Sequence, residues 1–127
     1  MKDELITFQT AMLAKDYGFD EKVHAVYFPD EPSTPAYDRE YDNHNEYEIS
    51  ESGVISAPTQ ALLQRWLMEK HNMYVLVLLN EYPELPFKVM WGNPEVMGLM
   101  WLEGCEDAGY STYQEALESG LQNALRK

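Results

Sequence analysis

The sequence predicts an α+β fold in a single domain. The expected sheet is antiparallel, a three-stranded meander plus one or two amino-terminal strands, with three helices packed mainly on one face. Three observations carry this expectation. Apolar residues recur at helical spacing in three separate stretches, near residues 3–17, 57–72 and 112–127. Between the second and third stretches lies an unbroken apolar run, Met73 to Leu79, rich in strand formers. Finally, 127 residues suit one domain with a real core.

Asp3 to Tyr17 reads as the first helix. Leu5, Phe8, Met12 and Leu13 form its apolar stripe, Asp3 and Glu4 stand at its positive end, and Gly18 follows as a C-terminal cap. Phe19 is expected to tuck back onto the core. Val23 to Phe28 has strand composition, and Pro29 ends it.

Residues 29–53 change texture. Pro29, Pro32 and Pro35 make the first half a loop, and the segment as a whole is a long acidic loop or an edge hairpin within the domain. Tyr37, Tyr41 and Tyr47 alternate with Asp38, Glu40, Asp42, Glu46 and Glu48. Two readings stay open. These residues form a solvated, charge-protected sheet edge, with one or two short strands around Tyr47, Ile49, Val54 and Ile55. Alternatively, they are a partner-binding surface, since a loop of this length in a compact domain is more often functional or mobile than not.

Pro58 suits a first helical turn, so the second helix is expected to start at Ala57 or Pro58. Leu62, Leu63, Trp66 and Leu67 make its stripe, with Gln60, Gln64, Arg65, Glu69 and Lys70 opposite; Asn72 is a plausible left-handed terminator. Met73 to Leu79 then reads as the central strand, covered on both faces. Fully burying one such side chain contributes about 1.5–3 kcal/mol. Phe87 to Trp91 and Val96 to Leu102 complete a meander, with Glu103 to Gly109 as a loop. The last helix starts at Ser111 or Thr112, because Ser111 with Gln114 and Thr112 with Glu115 both fit the capping box. Tyr113, Ala116, Leu117, Leu121, Ala124 and Leu125 form its buried stripe.

Ala57 to Asn72 (APTQALLQRWLMEKHN) and Thr112 to Lys127 (TYQEALESGLQNALRK), with LAKDYGFDE at Leu13 to Glu21, resemble a group of small uncharacterised bacterial proteins, often of prophage or mobile-element type. The resemblance implies a shared fold and genomic context, and no activity. The chain departs from that pattern at Met68, where arginine is commoner, and in its longer acidic middle.

The chemistry is mostly unadvertised. The formal net charge is −13, with nine Lys and Arg, which disfavours direct binding to nucleic acid and favours solubility or a basic partner. The single cysteine, Cys105, forms no internal disulfide, which fits a reducing cytoplasm. No segment reads as a signal peptide or as a span, so a soluble cytoplasmic protein without a membrane partner is expected.

His24, His44 and His71 show no ligand spacing, and the nearest grouping, Asp42, His44 and Glu46, is read as solvated charge. No nucleophile elbow, P-loop or dinucleotide fingerprint occurs. No catalytic residue, metal or cofactor is therefore assigned. Nine tyrosines and three tryptophans exceed what a small core needs. Trp66 is expected in the core, with Trp91 and Trp101 open.

The leading expectation is an accessory protein that binds another protein, with a homodimer among the options. Tyr37, Asp38, Glu40, Tyr41, Asp42, Glu46, Tyr47 and Glu48 are its candidate partner-binding residues. The alternatives are an acidic mimic of nucleic acid that inhibits a basic partner, and an enzyme acting on a small molecule or through a metal.

Overall fold

The computed structural model describes residues 4–28, 30, 33–42, 54–79, 84–93, 104–105 and 109–126, with backbone alone at 37–42 and 104–105. The class is α+β, and all strand pairings are antiparallel. Two compact units make up the chain, Met1–Thr59 and Gln60–Lys127. The strands are divided between them as two three-stranded sheets rather than gathered into one.

In the first unit, α1 (Phe8–Tyr17) starts five residues later than its sequence suggests. Thr7 caps it, accepting a hydrogen bond from the Thr10 N–H at 3.4 Å. The residues before the cap are spent on extended pairing. The Ile6 N–H donates to the Pro58 carbonyl at 3.1 Å, and Leu5 bridges Thr59. The buried face of α1 is also not the expected one: Thr10, Ala11 and Ala14 are buried, while Met12 is exposed. Small side chains let a helix lie close to its neighbour, and hydrophobicity alone does not show that. The carboxyl end matches expectation. Gly18 takes φ +102°, its N–H and that of Phe19 bond the carbonyls of Lys15 and Ala14, and Phe19 is buried. This is the Schellman arrangement, which glycine adopts without a side-chain clash.

The sheet of this unit runs β2-β1-β3, with β1 at Val23–Tyr27, β2 at Ala36–Asp42 and β3 at Ile55–Ser56. Every residue of β1 except His24 is buried, as befits the middle strand. The Tyr27 hydroxyl donates to the Ile6 carbonyl at 2.7 Å in a buried setting, and its ring meets Phe8 edge-on with centroids 5.7 Å apart. Tyr27→Phe keeps the ring and orphans the carbonyl. Its expected cost is about 1–2 kcal/mol, read as a lower urea midpoint at unchanged slope.

In the second unit, α2 spans Gln60–His71, two to three residues later than Pro58 suggests, because Ala57 donates to the Ala25 carbonyl and remains extended. Leu63, Trp66 and Leu67 are buried as expected, and Asn72 ends the helix at φ 54°. Gln60 is a correction. Expected on the polar side, it is buried, and its Nε2 donates to the Gln114 carbonyl (3.0 Å) and Glu118 Oε1 (2.9 Å). The burial is tolerable because both amide hydrogens are placed.

The second sheet runs β4-β5-β6, with β4 at Tyr74–Leu79, β5 at Phe87–Gly92 and β6 at Gly104–Cys105. Gly104–Cys105, expected in a loop, is paired with Trp91 and Met90. The predicted strand Val96 to Leu102 and Trp101 lie outside the described residues. Trp91 is buried, which settles its assignment to the core. Thr112 caps α3 (Tyr113–Leu125), accepting from the Glu115 N–H at 3.1 Å, so of the two capping registers the second is used. Ala116, Leu117, Leu121, Ala124 and Leu125 are buried as expected, whereas Tyr113 is exposed and meets Phe87 edge-on. Gly120 lets α3 approach the sheet at Val75 and Val89.

Candidate functional site

Sequence reasoning placed a partner surface in the acidic tyrosine segment, and the backbone makes part of that segment an edge strand. Tyr37, Asp38, Glu40, Tyr41 and Asp42 fall in β2, which among the described residues pairs with β1 alone. Glu46, Tyr47 and Glu48 lie outside the described residues. The strand begins directly after Pro35, inside the half of the segment expected to be loop. Its pairing is irregular. From Tyr37 to Asp42 the strand takes five residue steps, while β1 takes two from Ala25 to Val23, so three extra residues bulge out within the acidic run. Bulges re-aim side chains, end regular pairing and are over-represented at sheet edges and functional sites.

A second edge lies in the other unit and was not foreseen. β4 is the outermost strand of its sheet among the described residues. The apolar run was expected to be a central strand covered on both faces; this is corrected. Val75 is buried beneath α3, but Leu76, Leu78 and Leu79 are 42%, 37% and 79% exposed. A run without alternation cannot distinguish two covered faces from one, so no local signal could have separated the cases.

Helix α2 runs beside this edge. Gln64 Nε2 donates to the Val75 carbonyl at 2.6 Å. An open groove of about 160 Å³ is lined by Ala61, Gln64, Arg65 and Met68 from α2 and Val75 and Leu76 from β4. Arg65 is itself exposed and pairs with Glu69 at 3.9 Å along the helix, a contact worth at most a few tenths of a kcal/mol in solvent.

Among the described residues, those on which an enzymatic reading would rest are not brought together; His44, Glu46 and the side chain of Asp42 lie outside the described part. His24 is exposed on β1, and His71 is exposed at the end of α2 with its ring against Trp66, centroids 4.6 Å apart. Arg65 and Lys70 are exposed too. No Asp or Glu whose side chain is described is buried, and no group of three or more His, Cys, Asp or Glu among the described residues could hold a metal ion. No helix of the described residues is long and apolar enough to cross a membrane. No protein-family model, curated protein or solved structure matches the chain.

Proposed function

We propose that this chain is a non-enzymatic accessory protein that binds another protein through β2 and the acidic tyrosine-bearing segment continuing from it. The observation that carries the reading is the bulged edge strand. Among the described residues the outer side of β2 has no neighbouring strand, and an extended peptide uses the main-chain groups of such a side when it adds to a sheet. The run of tyrosines and carboxylates supplies aromatic contact area and an acidic field. In a chain of net charge −13 this suits a basic protein. We also propose, from the resemblance of the α2 and α3 sequences to small bacterial proteins of prophage type, that the partner belongs to a bacterial host.

The test is capture from such a host by the tagged chain, compared with the Tyr41→Ala and Tyr47→Ala variants. A partner that is retained by the wild type, lost by both variants and released by raising the salt supports the reading. Recovery of nothing, or recovery unchanged by both substitutions, overturns it. The acidic balance also favours a second reading, in which the segment occupies a nucleic-acid-binding site. In that case duplex DNA competes with this chain for the captured partner, and without competition that reading falls.

A further inference from the structure

The apolar edge at β4 bears on a different partner. Natural sheets guard their edges with charges, prolines, bulges or covering elements. Here, in a chain that is 24% charged, no Asp, Glu, Lys, Arg or Pro occurs from Asn72 to Asn80. The β4–β5 register runs without a bulge from Tyr74 to Leu79, and the leucines at the far end of the strand are exposed.

The main chain shows which part of this edge is open. In an antiparallel ladder the N–H and C=O of one residue leave the strand on the same side. Phe87, the partner of Leu79 in the register, exchanges both main-chain bonds with Tyr110 instead of β4, so Leu79 and, at alternate positions, Val77 and Val75 present their polar groups outward, while Tyr74, Leu76 and Leu78 face β5; Gln64 bonds the Val75 carbonyl on that outer side. Gln64 already occupies Val75. Among the described residues, the open portion is therefore Val77 and Leu79.

We infer that this portion pairs with the same portion of a second copy, antiparallel about a two-fold axis at Leu78. The register follows from the groups left open. Val77 of one copy exchanges both hydrogen bonds with Leu79 of the other, and the reverse, while the Gln64 bond to Val75 is preserved. Leu78 then stands directly opposite its counterpart as a non-hydrogen-bonded pair, the closer kind of cross-strand neighbour. On the other face, the most exposed large side chain of the strand, Leu79, comes to lie beside Val77 of the second copy.

The strand is thus its own complement, apolar against apolar, with no charged residue of its own. Two molecules each carrying −13 can meet there without opposing carboxylates. A basic partner has nothing to pair with on this uncharged strip, which is why the second copy, and not the partner proposed for β2, is assigned to it. The two sheets join into one of six strands.

Sedimentation equilibrium of the full chain tests the assignment. The wild type is expected to move from 14.7 kDa toward twice that mass as its concentration rises. Salt should strengthen the association, because screening weakens repulsion between two acidic molecules, whereas it weakens binding of a basic partner at β2.

Leu78→Lys places two ammonium groups face to face, each beside Lys88 of its own sheet, and is expected to weaken self-association at least tenfold even though it lowers the net negative charge. In a Cys105→Ser background, Leu78→Cys should oxidise to a covalent dimer. Leu76→Cys, about 13 Å from its counterpart in this register, should not. Circular dichroism checks that each exposed substitution leaves the fold intact. A mass of one chain at every concentration overturns the inference, as does a dimer indifferent to Leu78→Lys or cross-linked at 76 in preference to 78. Either result leaves the β2 proposal standing. An extended peptide captured at β4 by a monomeric chain also overturns it, by replacing the occupant.

Discussion

Gly120→Val is expected to destabilise the second unit by about 3 kcal/mol or more, at the upper end of the overpacking range, because α3 has no room for a side chain where it crosses the sheet. A Cβ built at Gly120 would overlap Val89 Cγ2 and stand 2.7 Å from Val75 Cγ1. Both neighbours are β-branched, with little rotameric freedom to move aside. Relief therefore requires the helix itself to lift, opening voids along the buried stripe of Ala116, Leu117 and Leu121.

The alanine variant makes the sharper measurement. Gly120→Ala gains up to about 1 kcal/mol of helix propensity and still meets the same two methyl groups, so a net loss of about 1–2 kcal/mol is expected in urea unfolding. Adding Val89→Ala should recover part of that loss, giving a double mutant less destabilised than the two single effects summed. An unchanged or raised midpoint for Gly120→Ala would show that α3 does not approach this closely.

Leu121→Ala is expected to cost about 2–5 kcal/mol, the range for emptying a buried leucine site. Leu121 is fully buried on α3, next in sequence to the close approach at Gly120. Proteins of this kind have net stabilities of about 5–15 kcal/mol, so the substitution removes a large fraction of the total. The contrast with Leu76→Ala is informative. The residue type is the same, but Leu76 is 42% exposed, and its truncation should stay within about 0.5 kcal/mol. Equal effects at the two positions, measured from urea midpoints at constant slope, would contradict the division of leucines between the core and the outer edge.

That division also marks where the sequence was readable. The capping signals were local and came out well: Gly18, Asn72 and Thr112 each end or begin a helix as their chemistry dictates. The stripes of α2 and α3 were legible because leucines at helical spacing have one economical solution, burial. Three things were not. The amino ends of α1 and α2 were shortened by pairing between Leu5–Ile6 and Pro58–Thr59, residues too far apart in sequence for any local pattern to link.

The burial of Gln60 depends on finding the Gln114 carbonyl and the Glu118 carboxylate, partners on another helix. Helical spacing from Gln60 to Leu63 and Leu67 put it on the inner face, but its polarity argued the other way. The position of β4 at the edge was hidden because strand order is a property of pairing, and an apolar run reads the same at an edge as in a centre. Of the candidate surface, composition identified the segment. The strand within it, and the bulge, came only from the pairing with β1.

The placement of β2 and β3 on opposite sides of β1 has a consequence for how this molecule can vary. Asp42 and Ile55, which bound the intervening chain, are held on opposite sides of β1 and at its opposite ends, paired with Val23 and Tyr27. The entropy of closing such a span grows only logarithmically, about 0.6 kcal/mol for each doubling of length. The acidic stretch can therefore change in length at little entropic cost while β2 and β3 keep their register on β1.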